Sequence, residues 1–174
     1  MSALLNPLIA RKSRLRAAVL QHLPNGPCLL VGSHSDTQPL GGWLDGIWGV
    51  ACGLELARAA LAGGGPRIAV VSFQDEEGRF GGLTGSAVWS GVTTLADADT
   101  HEDEDAHQNP VRFGQARLRA SEIGPTGHVA PERFSAFIEP HIEQGPVLDQ
   151  AGQALGVVEA IVGVRQWSLR FQGE

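Results

Sequence analysis

The chain has 174 residues, enough for one domain with a real core, and its 43% apolar and 18% charged content is ordinary for a globular protein. A formal net charge of −6 with a single lysine, Lys12, argues against a nucleic-acid binder, which needs a basic stripe. No stretch reaches the roughly 18 apolar residues of a membrane span.

Leu8–Leu23 carries helical spacing with a charged face, and Pro24-Asn-Gly-Pro27 ends it. The basic residues Arg11, Lys12, Arg14 and Arg16 lead into no apolar block with a cleavage site, so this start does not read as a signal peptide. Cys28-Leu-Leu-Val-Gly32 is a continuous apolar run, the pattern of a strand buried on both faces. A Gly-rich loop follows, then a helix over Ile47–Ala62 that Gly63-Gly-Gly-Pro66 closes. Arg67–Phe73 is a second buried strand, and Thr84–Trp89 a short helix capped by Thr84 and ended by Gly91.

Asp97–His107 is acidic and reads as a solvated loop, since EF-hand spacing is absent. A further helix is expected over 110–120 and a third strand over Ser135–Glu143. A Pro-started turn of helix at Gly145–Asp149 comes next, then two strands, Leu155–Val162 and Val164–Phe171, joined at Gly163. Apolar strands alternating with helices imply an α/β fold, a mostly parallel sheet flanked by helices. Cys28 and Cys52 form no CxxC pair and read as buried small apolar residues, which suits a reducing cytoplasm.

The chemistry gathers at the strand ends. His34 lies just past the first strand, Glu76 and Glu77 past the second, and His141 near the end of the third. Asp45 sits in the loop leading into a helix. Ligands of open α/β sheets bind beyond the carboxyl ends of the strands, so parallel neighbours would bring these groups to one edge. Imidazole with carboxylate suits zinc, and also manganese, cobalt or nickel. Asp36 is placed to hydrogen-bond the second nitrogen of His34 and orient it. Of two adjacent glutamates, one can hold metal while the other faces the bound water. Singly, each residue is an ordinary polar loop residue; together they are the parts of a two-metal hydrolase. A serine hydrolase lacks its Gly-x-Ser-x-Gly elbow here, and the Gly63–Gly65 run stands in the wrong order for dinucleotide binding.

Four segments, in order, carry a resemblance: Gly32-Ser-His-Ser-Asp-Thr37 with Gly41-Gly-Trp-Leu-Asp-Gly46; Gly49-Val50 with Gly53-Leu-Glu55; Asp75-Glu-Glu-Gly-Arg-Phe80 with Gly85-Ser86; and His141-Ile-Glu-Gln-Gly-Pro146 with Gly156-Val-Val158. The chain resembles the N-terminal part of the M20-type metallopeptidase superfamily, in the amidase/carbamoylase branch of N-carbamoyl-L-amino-acid hydrolases, β-ureidopropionases and allantoate amidohydrolases. The resemblance implies a zinc-exopeptidase-like catalytic domain with two divalent ions, zinc first. Asp45 would bridge them, His34 and His141 complete one, and Glu77 bind the other. Glu76 would be the general base toward a metal-bridging water, and Gln144 a substrate contact. The substrate would be a small ureide or N-carbamoyl amino acid, with no nucleic acid or membrane partner, and the location cytoplasmic.

The match departs from the family in three places, one of them an N-terminal region shorter than the family's, which carries a longer helical region and an extra strand. The loop Gly78–Gly82 is shorter than the family pattern. The family also continues past a glycine like Gly173 into a smaller domain that dimerises, grips the substrate and leads back to a last metal-binding histidine. Residues 1–163 are therefore expected to form part of a catalytic domain, truncated before that dimerisation and lid domain, with 164–174 its first strand. Weak occupancy of the Glu77 metal and very low turnover follow as expectations. The other readings are a non-catalytic remnant, or a dipeptidase or deacylase of the same superfamily.

Overall fold

The computed structural model describes residues 26, 28–103, 111–121, 129–161, 163, 167 and 169–173. The chain divides into two units, Met1–Ile142 and Glu143–Glu174. The expected helix over Leu8–Leu23 lies outside the described residues, as do parts of the acidic stretch and of the strand expected over Val164–Phe171.

In the first unit, β1 (Cys28–His34) is the apolar run of the sequence, and all but one of its residues are buried. It leads through the Gly-rich loop into α1 (Ile47–Gly63), which ends on Gly64 in the left-handed conformation. β2 (Ile68–Phe73), α2 (Thr84–Ser90), α3 (Leu95–Ala98), α4 (Phe113–Ser121) and β3 (Phe134–Ile138) follow. Among the described residues the sheet has three strands in the order β2-β1-β3. β1 is parallel to both neighbours, with His34 beside Phe73 and Val31 beside Ile138. This is the expected α/β arrangement. Chain connections leave β1 toward one neighbour and arrive at β3 on the other side, so the carboxyl end between β1 and β3 is a topological switch point, where such sheets open a crevice.

Both faces of β1 are covered, which is why it reads as an unbroken apolar run. On one face Cys28, Leu30 and Ala69 form a core with Val71, Trp89 and Phe134. Trp89 of α2 stacks against Phe73 and Phe134 at centroid distances of 5.5 and 6.0 Å, and its indole N–H donates to the Val129 carbonyl at 2.8 Å. On the other face α1 lies against Val31 and Ser33 through glycines. A Cβ on Gly53 would stand 2.9 Å from the Val31 carbonyl oxygen, and one on Gly49 would stand 2.8 Å from the Ser33 Cβ. Small residues along one helical stripe let α1 approach the sheet backbone.

Several expectations are corrected. β3 stops at Ile138 rather than Glu143. Pro140, lacking an N–H, cannot continue the ladder. The residue before α2 is Leu83, in the left-handed region at φ 54°, and the Thr84 hydroxyl is spent on the Asp75 carboxylate rather than on a helix cap. The described part of the acidic stretch is not a plain solvated loop. Thr94 caps α3 by accepting from the Asp97 N–H, Asp99 pairs with Arg117 at 2.6 Å, and the Asp103 carboxylate is buried and pairs with Arg79 at 2.6 Å. Arginines more than a dozen residues away could not be matched to these acids by local pattern. Cys52 is half-buried rather than fully buried.

In the second unit, α5 (Val147–Gln150) forms where the Pro-started turn was expected. The Glu143 carboxylate accepts from the Val147 and Leu148 N–H groups at 2.8 and 3.0 Å, satisfying donors that a helix start leaves open. Residues 155–161 form no strand, and Leu155, Val157 and Ile161 are exposed. Strand propensity expresses itself only against a paired neighbour.

Candidate metal and catalytic centre at the carboxyl edge of the sheet

The end of β1 places His34 in the interior at 3% exposure. Gly46 lies against its ring: a Cβ there would collide with the imidazole, and the residue sits at φ 65°, which favours glycine. His34 Nδ1 lies 3.0 Å from the backbone carbonyl of Asp36. A carbonyl only accepts, so Nδ1 donates to it, and this bond turns Nε2 toward the site. That Nε2 faces Glu76 Oε2 at 3.4 Å. The orienting hydrogen bond thus comes from the main chain of Asp36. Its carboxylate Oδ1 lies 3.5 Å from Nδ1, and Oδ2 accepts from the Glu77 N–H at 3.0 Å.

His141, beyond β3, repeats this pattern. Its Nδ1 stands 2.7 Å from the Ile142 carbonyl and its Nε2 2.9 Å from Asp45 Oδ1. The loop that carries it is pinned twice, by the Ser33 hydroxyl donating to Glu139 and by Gly49 of α1 lying against the Pro140 carbonyl.

The two glutamates stand on a closed turn. Asp75 takes φ 57°, a conformation that aspartate tolerates better than most residues, and is buried. Its side chain accepts from the Phe80 N–H at 2.9 Å and from the Thr84 hydroxyl. Main-chain bonds from Leu83 to Glu76, Thr84 to Asp75 and Gly85 to Gln74 complete the loop. Gly85 is required because a Cβ would strike the Gln74 backbone at 2.5 Å. Outside this turn, Arg79 reaches Asp103 and Phe80 packs edge-on against Phe113 at 5.6 Å.

The structure therefore brings His34, Glu76 and Glu77 together, with one ligand atom of each within 4.8 Å of the others. It pairs Asp45 with His141. Burial raises the Glu76 carboxyl above the usual carboxylate range; His34 opposes the rise, and the charges of Glu77, Asp36 and Asp45 add to it. Gln144 lies in the second unit and is exposed. Burial also raises the Cys28 thiol, which fits an inert core residue. A histidine pair turning Nε2 toward carboxylates, each ring oriented by a carbonyl at Nδ1, is a donor set that fits a divalent cation.

An open groove of about 540 Å³ lined by Gly42, Trp43, Leu44, Asp45 and Ile142 gives this edge room for a small molecule.

No protein-family model matches the chain. It is 37% identical over 158 residues to an N-carbamoyl-L-amino-acid amidohydrolase of Paenarthrobacter aurescens, covering 86% of this chain and 37% of that protein. It is 35% identical over 153 residues to the allantoate amidohydrolase of Bacillus subtilis, covering 84% and 36%. Its fold matches the crystal structure of a hydantoinase/carbamoylase family amidase from Burkholderia ambifaria, with a TM-score of 0.63 and 39% identity over 74% of this chain and 31% of that one. The chain is a homologue of the hydantoinase/carbamoylase amidases. It spans about a third of the length of these amidases. The relatives named here are amidohydrolases by name.

Within this amidase frame, three features escaped the sequence. Gln38 contacts Glu77, Asp75 shapes the glutamate turn, and a glycine stripe seats α1. An aspartate directly before two glutamates was a usable signal for a left-handed turn. A lone polar residue such as Gln38 in a loop offered none.

Proposed function

We propose that the chain carries catalytic residues of a metal-dependent amidohydrolase that cleaves linear C–N bonds of N-carbamoyl amino acids or related ureides, in the manner of the M20-type amidase branch. The observation that supports this most is the buried His34 with Glu76 and Glu77 inside 4.8 Å at the carboxyl end of a parallel sheet. His34, Asp45, Glu77 and His141 would hold two divalent ions, zinc first, with manganese, cobalt or nickel able to substitute. Bound there, such ions supply Lewis acidity and lower the pKa of water from 15.7 toward about 7.

The protein's own part is proton transfer and positioning. Glu76 takes the proton of the attacking water and returns it to the leaving nitrogen, so that the nitrogen departs neutral as the C–N bond breaks. Burial of Glu76 strengthens it as a base, in the direction that proton transfer near neutral pH requires. The Asp36 and Ile142 carbonyls orient both imidazoles with Nε2 toward the carboxylates. Gln144 contacts the substrate in this reading. A cytoplasmic enzyme working as a pair of protomers belongs to the same reading and rests on the family alone.

The test is a hydrolysis assay on the chain, stripped with chelator and reloaded with zinc or manganese. Slow ammonia release from N-carbamoyl amino acids or allantoate is expected, with dipeptides left intact. Glu76→Gln is expected to retain the metal and lose about 10²–10⁴ in rate. Dipeptide cleavage would transfer the chain to the deacylase and dipeptidase side. Zinc uptake undiminished in His34→Ala would sink the metal centre.

A further inference from the structure

Adjacent glutamates are chemically identical, so something outside them must decide which holds metal and which moves protons. We propose that Gln38 makes this decision, as a positioning residue that fixes Glu77 as the metal ligand and leaves Glu76 outside its grip. The inference rests on the reading of Glu77 as a ligand.

Gln38 Nε2 donates to Glu77 Oε2 at 2.8 Å and to the Glu77 carbonyl oxygen at 3.0 Å. Both partners are pure acceptors, so the carboxamide has to present its NH₂, and its two N–H bonds are used up. The Glu77 N–H donates to Asp36 Oδ2 at 3.0 Å. Glu77 is thus held at three points, main-chain N, main-chain O and side-chain Oε2, by two residues of the loop after β1. The Glu76 carboxylate faces His34 Nε2 at 3.4 Å and takes no part in this clamp. The two neighbours are therefore unequal.

The chemistry of the clamp suits a ligand. A carboxamide orients a carboxylate without cancelling its charge, whereas a lysine or arginine would compete with the cation for it. Only Oε2 is held. Oε1 lies on the side of Gly42, whose missing side chain keeps that flank unfilled; a Cβ there would stand 3.6 Å from this oxygen. Gln38 is exposed, and its removal takes nothing from the core.

The experiment is calorimetric zinc titration of the full chain, alongside Gln38→Ala and Glu77→Ala, with thermal melting of each protein free of metal. Gln38→Ala is expected to weaken zinc binding by about 10–100-fold, the usual cost of losing a ligand's outer partner, with an unchanged metal-free melt. Wild-type affinity in Gln38→Ala, with binding weakened in Glu77→Ala, would overturn the role of Gln38 and leave the metal centre standing. A lowered metal-free melt in Gln38→Ala would also overturn it, by showing a general structural role. No zinc uptake by the unaltered chain, or full uptake by Glu77→Ala, would remove the parent reading and this inference together.

Discussion

At the scale of single residues, Asp75 concentrates the local physics of the centre. It spends its side chain on the Phe80 N–H and the Thr84 hydroxyl, in a backbone conformation that a β-branched residue could not hold. Asp75→Ala strands these two donors and is expected to cost about 1–3 kcal/mol for each one left buried without a partner. Asp75→Asn keeps an acceptor oxygen and tolerates the left-handed region, so it should lose clearly less. Urea denaturation of both variants measures this, and equal losses would contradict it. The need for an acceptor at position 75 is a tertiary fact: Thr84 is nine residues away and becomes a neighbour only when the loop closes.

At the scale of elements, α1 shows one residue type doing opposite work at two places. Gly53 faces the Val31 carbonyl at 2.9 Å for an added Cβ, and that backbone cannot retreat. Gly63, in the last turn, would meet nothing within 4 Å. Alanine is the better helix former by about 1 kcal/mol, so propensity alone favours both replacements. Packing reverses the sign at Gly53. Gly53→Ala is expected to destabilise, and Gly53→Val to cost about 1–3 kcal/mol through overpacking. Gly63→Ala is expected to gain about 0.4–1 kcal/mol. Thermal melts of the three variants decide it, and a stabilised Gly53→Ala would refute the close approach.

At the scale of the whole molecule, the glutamate turn leans on a bracing segment far along the chain. Arg79 reaches Asp103, Phe80 reaches Phe113, and Asp99 ties this segment to Arg117. The hydrogen bonds from Arg117 hold the Asp99 carboxyl below the usual range, despite some opposing burial. A depressed folded-state value means the pair contributes fully above the unfolded value of about 3.9, and the contribution is lost as pH falls through the folded one. The pair is about a third exposed, so the contribution is on the order of 0.2–1 kcal/mol. Asp99→Asn should therefore be slightly less stable than the parent at pH 7, with the difference closing below about pH 4. A difference that persists unchanged to pH 3 would rule out the ion pair as its cause.

The sequence by itself determined the alternation of β1, α1, β2, α2, α4 and β3, though not the short α3, together with the parallel sheet and which polar residues follow its strands. Buried strands must be apolar, helices must be punctuated by glycine and proline, and a metal site needs imidazole and carboxylate; each of these is written in residue type and spacing. It did not determine where β3 stops or whether 155–161 becomes a strand, because pairing depends on what lies alongside. Nor could it show that the acids Asp99 and Asp103 have arginine partners, or that Gln38 and Asp75 stand behind the two glutamates. Those features are contacts between residues 9 to 39 positions apart. Only the folded chain brings such groups within hydrogen-bonding distance, where burial and fixed geometry turn a row of polar loop residues into a site.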